Sequence, residues 1–273
     1  DGSQLTNLPT PTVNYSDITN TPLSYNENGT GIQSSSSTAS GDYSTALGNG
    51  ATASGPYSTA MGGSTTASGE YSTAMGGSTT ASGNASTAMG DFTTASGFSS
   101  TAMGWSTEAS GFASTAMGIG TTASGEYSTA MGGSTVASGA YSSASGGATT
   151  AKDYLSFVIG VHNKTDETPN PDSFSYQNTA FVIGNGGYDS EGNYVGTSDT
   201  FSNAFEVLFD GTTTIAGDLN INSDARLKAN IISLGTTLSK LLQIDGKTYT
   251  MKKDANHKKK IGLLAQDIEK VFP

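Results

Sequence analysis

The sequence contains no cysteine, few charged residues and few large apolar ones. Without cysteine, neither disulfides nor thiolate-bound zinc can stabilise the fold. Only 13% of the residues are charged and 36 of the 273 are glycine, which argues against an ordinary globular core. No apolar run is long enough to cross a bilayer, so we expect no membrane insertion. Stability must therefore come from packing and backbone hydrogen bonds.

Basic residues are also scarce until near residue 223. Residues 1–223 carry 18 acidic side chains against only Lys152 and Lys164, a net charge of −16, whereas residues 224–273 have a net charge of +5. This change in composition predicts two different domains. The acidic part should repel nucleic acid, which we therefore do not expect as a partner. No residue pattern indicates a metal site or a cofactor, and none is expected.

Glycines recur with a period of 14 residues in two series. One series runs from Gly48 to Gly160, and the other, from Gly41 to Gly139, lies halfway between its members. Each repeat thus has two halves, Thr-Ala-Met-Gly-x-x-Thr and Thr-Ala-Ser-Gly-x-Tyr-Ser. Seven residues fit a short strand and a tight turn, while a helix would lose roughly 1 kcal/mol at every glycine. The sequence predicts an all-β roll with two short strands per coil, roughly 40 Å long.

Alternation along each strand separates two faces. One face carries only Ala and Gly, as at Ala46 and Gly48, which predicts a thin interior. The other face is serine in one half of the repeat and apolar in the other, at Leu47, Met61, Met75, Met89, Met103, Met117, Met131 and Ile159. An exposed apolar row predicts self-association around a shared axis. In the alternative, these side chains fill the interior, which leaves the alternation with serine unexplained.

The run Ser-Thr-Ala-Met-Gly-x-x-Thr-x-Ala-Ser-Gly closely resembles the head repeats of trimeric autotransporter adhesins, the YadA-like heads. The resemblance covers about residues 34–160. It implies a left-handed parallel β-roll, three copies of which pack into a head that binds host surfaces. The partners it implies are two further copies of the chain and a glycan or protein of the host-cell surface.

Two flanking segments differ from the roll. Residues 1–33 contain several prolines, which predict an extended connector or collar. They weakly resemble the connector segments of phage tail fibres. This resemblance implies a baseplate or fibre partner. Residues 161–222 predict a β neck with a polar loop insertion. Phe181–Gly184 repeats Phe157–Gly160 at a spacing of 24, and Asp210-Gly211 predicts a turn between later strands.

Residues 223–273 contain three motifs in a specific order. These are Ser-Asp-Ala-Arg-Leu-Lys-Ala-Asn-Ile from residue 223, an amphipathic helix near 237–242 followed by Asp-Gly-Lys-Thr-Tyr-Thr, and Ile-Gly-Leu-Leu-Ala-Gln-Asp-Ile-Glu-Lys-Val-Phe-Pro from residue 261. Together they strongly resemble the endosialidase-type intramolecular chaperone, a domain that trimerises phage fibres and then releases itself by autoproteolysis. The resemblance implies a small α+β domain. Such domains usually continue well beyond the position of Pro273, so we expect a truncated one.

This second resemblance places a Ser-Lys dyad on Ser223 as nucleophile and Lys228 as general base. A lysine accepts the serine proton only when desolvation or nearby positive charge, here from Arg226, lowers its pKa. Attack on the carbonyl carbon of Asn222 is an ordinary acyl shift, whereas attack of Ser223 on its own carbonyl would close a strained four-membered ring. In the alternative, Ser223 only caps a helix beginning at Asp224. The implied enzyme is a single-turnover autoprotease without an external substrate.

Aromatic residues mark one part of the roll as a candidate receptor contact. Phe98 and Phe112 occupy equivalent turn positions on adjacent coils, Trp105 lies at the opposite turn between them, and Phe92 is close by. Aromatic platforms suit sugar rings. The alternative is that these side chains shield turns or touch neighbouring subunits.

The function predicted by these features is that of a trimeric fibre or adhesin subunit attaching to a cell surface. It would be located on a tail fibre of a virion or phage-like particle, or on an extracellular cell surface. One alternative is a purely structural or ice-binding solenoid, because regular threonine rows on flat sheets can order water. A sugar-cleaving fibre enzyme ranks last, since no paired carboxylates stand out in the repeats.

Overall fold

The computed structural model describes residues 23–25, 29–165, 168–188, 191–195, 200–217, 237–250 and 259–272. Its main body is a parallel β-solenoid of about nine coils with 14 residues per coil. Each coil contributes one strand to each of two sheets. The predicted all-β roll with two strands per coil is therefore confirmed.

Within the described ranges, the first sheet contains 14 strands and the second contains nine. The first consists of β1 (Leu23–Tyr25), β2 (Ile32–Ser34), β4 (Thr45–Leu47), β6 (Thr59–Gly63), β8 (Thr73–Gly77), β10 (Thr87–Asp91), β12 (Thr101–Trp105), β14 (Thr115–Ile119), β16 (Thr129–Gly133), β18 (Ser143–Gly147), β20 (Phe157–Val161), β21 (Thr179–Asn185), β22 (Asn203–Leu208) and β23 (Thr213–Ile215). The second consists of the two-residue strands β3 (Thr38–Ala39), β5 (Thr52–Ala53), β7 (Thr66–Ala67), β9 (Thr80–Ala81), β11 (Thr94–Ala95), β13 (Glu108–Ala109), β15 (Thr122–Ala123), β17 (Val136–Ala137) and β19 (Thr150–Ala151).

The register follows the sequence period. In β6 and β8, for example, Met61 pairs with Met75 in a parallel ladder. The spacing is 13 between β2 and β4, where Ile32 pairs with Thr45. It becomes 24 at the step from β20 to β21, where Phe157 pairs with Phe181, as the repeated Phe-Val-Ile-Gly motif predicts. Strands β22 and β23 then continue the sheet in antiparallel pairing, with the turn at Gly211 in the left-handed region at φ +85°.

The interior of the roll contains more than the predicted alanine and glycine. Alanines such as Ala60 and Ala67 are fully buried, as expected. The serine or threonine two residues before each of these alanines, such as Ser58 or Thr65, is also fully buried, because side chains alternate between faces in extended backbone. The interior is thus a stack of Ala, Ser and Thr rows, and the expectation of Ala and Gly alone was wrong.

The glycine period has a different cause from the one that the sequence suggested. A Cβ atom on Gly55 would collide with the backbone carbonyl of Gly69, the equivalent residue one coil further on. Gly62, in the other series, has a φ of +121°, which disfavours any side chain. The close approach of successive coils, rather than the thinness of the space between the two sheets, therefore requires glycine.

Side-chain amides occupy both ends of the second sheet. Asn163 accepts a hydrogen bond from the backbone N–H of Thr150 (2.7 Å) and donates one to its carbonyl (3.0 Å), so it takes the place of a further strand after β19. At the other end, the Gln33 side chain accepts from the N–H of Ala39 in β3 (2.9 Å). Unpaired sheet edges recruit other chains, so these amides discourage end-to-end stacking of rolls.

The C-terminal part consists of short elements. They are α1 (Leu238–Leu241), β24 (Lys247–Tyr249), β25 (Lys260–Gly262) and α2 (Ala265–Val271), with β24 and β25 forming an antiparallel pair. The predicted helix near 237–242 is confirmed. In the described parts of the chain, no helix has the length and apolar character needed to span a membrane.

Candidate functional site

The methionine stripe lies on the outer face of the first sheet. We use this name for Leu47, Met61, Met75, Met89, Met103, Met117, Met131 and Ile159. Their side chains stack in register along the roll and are partly exposed, with Met131 at 36%. The alternative that they fill the interior is wrong, because the buried rows hold Ala, Ser and Thr. Ser145 takes the equivalent position between Met131 and Ile159.

Further apolar side chains extend this stripe beyond the roll. The rings of Phe157 and Phe181 stack at 5.7 Å, and Phe181 meets Phe205 edge-on at 6.0 Å. Ile183 pairs with Phe205 across β21 and β22. Of the apolar side chains in this region, only Ile159 was predicted to belong to the stripe, although the repeated Phe-Val-Ile-Gly motif carries the signal for the rest.

The outer face of the second sheet has the opposite character. The serines one residue after each short strand, such as Ser54, Ser68 and Ser82, are exposed. One sheet of the roll is therefore polar on its outer face, and the other presents an apolar row that is interrupted only at Ser145 among the described residues. This asymmetry favours association through the first sheet.

One edge of the roll carries a row of aromatic rings, and we call it the tyrosine edge. It is formed by the turns that lead from each short strand to the next long one. Tyr57 stacks on Tyr71 at 5.0 Å, and Tyr127 stacks on Tyr141 at 4.8 Å. Between these pairs the row shifts by one position, to Phe98 and Phe112, whose rings are parallel at 5.4 Å. The Gly-x-Tyr-Ser pattern in the repeat carries the signal for this row, which the sequence analysis did not assign.

The opposite edge is formed by the turns after each long strand, and it carries a second apolar group. Phe92, Trp105 and Ile119 are 58%, 52% and 60% exposed on three successive coils. The candidate receptor contacts therefore divide between two edges. The structure brings Phe98 and Phe112 together, but Trp105 is the last residue of β12 and lies at the far end of that strand from Phe98.

The candidate dyad of Ser223 and Lys228 lies outside the described residues. In the described parts of residues 223–273 no side chain is buried. Leu242 and Ile261, for example, are 79% and 85% exposed. The Lys247 ammonium donates to the Asp245 carboxylate at 2.6 Å, which lowers the pKa of Asp245 and raises that of Lys247. Among the described residues, so much exposed apolar surface favours burial against other parts of the chain or against partner chains.

Comparison with known proteins identifies two families in the chain. The YadA head domain repeat matches residues 39–65, 67–93, 95–118 and 109–135. The chaperone of endosialidase matches residues 223–273. No curated protein matches the chain.

The two matches have consequences for the assembly and location of the protein. Both domains indicate a trimeric protein of the adhesin or tail-fibre type, at an exposed surface or on a phage particle. They agree in position with the solenoid and with the exposed C-terminal elements. The chain therefore joins a YadA-like head to an intramolecular chaperone domain of the endosialidase type.

Proposed function

We propose that this chain is one subunit of a homotrimer that attaches a fibre tip or adhesin to a cell surface. The observation that carries this proposal is the methionine stripe, which lies on the outside of the roll and stays partly exposed among the residues that the structure describes. Three copies arranged around one axis would cover it along the whole head. The polar outer face of the second sheet would then face solvent.

The N-terminal 33 residues would link the head to a baseplate or fibre partner. The prolines in this segment support the assignment, because they favour an extended chain. The head would then project away from the particle or cell that carries it.

The chaperone domain would promote assembly and then cleave the chain beside Ser223. Ser223 would attack as nucleophile, and Lys228 would take its proton as general base. Mass spectrometry of the expressed chain, beside Ser223→Ala and Lys228→Ala, tests this step. We expect the wild type to shed a C-terminal fragment that begins near Ser223 and both variants to stay whole. An uncut wild type would remove the autoprotease role.

Receptor contact is proposed for the head, on the pair Phe98 and Phe112. Their parallel rings are 51% and 41% exposed and form a flat apolar platform. Such a platform suits the face of a sugar ring. A glycan and cell-binding array with the trimer tests this role. Phe98→Ala with Phe112→Ala should lose binding, whereas Tyr43→Ala with Tyr57→Ala, on the same edge, should keep it.

A further inference from the structure

The two edges of the roll differ in side-chain size, and the difference changes along the length of the roll. Each turn at the tyrosine edge begins with a glycine, such as Gly55 or Gly69, which we call the turn glycine. The second residue after it is large on some coils and small on others. Tyr57, Tyr71, Tyr127 and Tyr141 each share a coil with a glycine six residues further on, at the opposite edge. A large side chain at one edge thus accompanies an empty position at the other.

The middle of the roll shows the reverse relation. Here the second residue after the turn glycine is Ala85, Ser99 or Ala113. Six residues further on, the opposite edge carries Asp91, followed by Phe92, on the first of these coils and Trp105 and Ile119 on the next two. At these two positions, six residues apart, a large side chain therefore accompanies a small one on six of seven successive coils, and on the seventh Ala85 accompanies Asp91 and Phe92. Phe98 and Phe112 occupy the position before Ser99 and Ala113, one residue closer to the turn glycine, so they stand outside these paired positions.

Contacts within one chain do not explain this relation. A long strand of five residues, such as β12 (Thr101–Trp105), lies between the two edges. At about 3.3 Å per residue, they are separated by roughly 20 Å. The stacked rings of the described residues run along the tyrosine edge, from Phe98 to Phe112 and from Tyr127 to Tyr141. Trp105 on the opposite edge is too far away to join them.

Cyclic symmetry brings the two edges together. If three rolls surround one axis with their methionine stripes inward, every long strand begins at one junction between copies and ends at the next. The tyrosine edge of each copy then faces the opposite edge of its neighbour. Rotation about the axis leaves height along the axis unchanged, so coils of equal number meet at the junction.

We propose that the two edges of neighbouring copies interlock at these junctions, with each large side chain lying over the small residue of the facing edge. The partner is a second copy of this chain. Tyr127 of one copy would lie over Gly133 of the next, and Trp105 of one copy would lie over Ser99 of another. The inference rests on the trimer proposed above and adds the surface that fixes the axial register between its subunits.

Two glycines allow a direct test. A Cβ atom on Gly63 or on Gly133 has nothing within 4 Å in its own chain. At the position equivalent to Gly133, other coils carry Trp105 and Ile119, so Gly133→Trp is compatible with the roll itself. On the facing edge, Tyr127→Ala is also compatible, because Ala85 already occupies that turn position at a φ of +54°.

The experiment is a reciprocal rescue in the full chain, with trimer content measured by sedimentation and light scattering over a range of concentrations. We expect Gly133→Trp to raise the midpoint concentration for assembly by about tenfold or more, because two large side chains then compete for one space. Adding Tyr127→Ala should restore assembly, and adding Tyr57→Ala should not. For Gly63→Trp, Tyr57→Ala should restore assembly and Tyr127→Ala should not.

The possible outcomes separate the interlock from the trimer itself. Gly-to-Trp variants that assemble as the wild type does would overturn the interlock, and so would matched and mismatched alanines that rescue equally. A matched double variant that fails to assemble would also overturn it. A wild type that is not trimeric would instead overturn the proposed function, on which the interlock depends.

Discussion

The methionine stripe can be tested by placing charge on it. Met89 and Met103 lie on adjacent strands of the first sheet, in the middle of the head. Met89→Glu with Met103→Glu introduces two carboxylates per chain and six per trimer. If the stripe surrounds the trimer axis, these carboxylates are brought close together in an apolar environment without cationic partners.

The charge, rather than the lost apolar area, should dominate the effect. Neighbouring coils already cover most of each methionine, since Met131, the most exposed of the six in the stripe, is 36% exposed. Covering the remaining third contributes only about 0.5–1 kcal/mol per side chain. Burying an unpaired carboxylate costs several kcal/mol per group, so six of them should exceed the stability of an ordinary assembly.

The assay is solution mass by light scattering, with circular dichroism on the same samples. We expect the double variant to lose the trimer at concentrations where the wild type is assembled. The matched control is Ser82→Glu with Ser96→Glu, which adds the same charge to exposed positions on the second sheet and should leave the trimer intact. A Met89→Glu, Met103→Glu protein that stays trimeric would refute the reasoning.

Two further predictions concern the roll itself and can be checked by thermal unfolding of the full chain. Gly97→Ala should lower the free energy of unfolding by about 3 kcal/mol, because the added Cβ atom would meet the backbone carbonyl of Gly111. Gly63→Ala, whose Cβ atom would lie in open space, should change it by no more than about 0.5 kcal/mol. Equal effects of the two variants would contradict the explanation that stacked coils require glycine. Asn163→Ala should lower the free energy of unfolding by about 1–3 kcal/mol, because the backbone N–H and carbonyl of Thr150 both lose the Asn163 side chain as their partner. A variant as stable as the wild type would show that the end of the second sheet needs no amide.

Much of the fold is predictable from the sequence because the roll repeats a single local rule. The alternation that places Ala60 inward and Met61 outward follows from strand geometry, and the structure has both as predicted. Ser58 and Thr65 were missed because a serine or threonine in a strand is compatible with either face. Only the stacking of coils shows that these two residues are enclosed.

The candidate site was predicted only in part. The sequence indicates that Phe98 and Phe112 occupy equivalent turns, and the structure stacks them. The tyrosine edge went unassigned because a turn residue such as Tyr57, at a φ of +58°, has a direction that no strand period provides. The relation between side-chain sizes at the two edges becomes visible only when the structure shows that residues six apart lie at opposite ends of one long strand.

The central claim, that the methionine stripe faces a shared axis, can be tested most directly by a distance between copies. The chain has no cysteine, so a single spin label can be placed at Ser145→Cys, a stripe position, or at Ser138→Cys, on the outer face of the second sheet. Pulsed electron paramagnetic resonance on the assembled protein should give one narrow distribution of label-to-label distances for each labelled position. The distance between labels at residue 145 should be clearly shorter than that between labels at residue 138. A distance at 145 equal to or longer than that at 138, or no coupling between copies at all, would contradict the account.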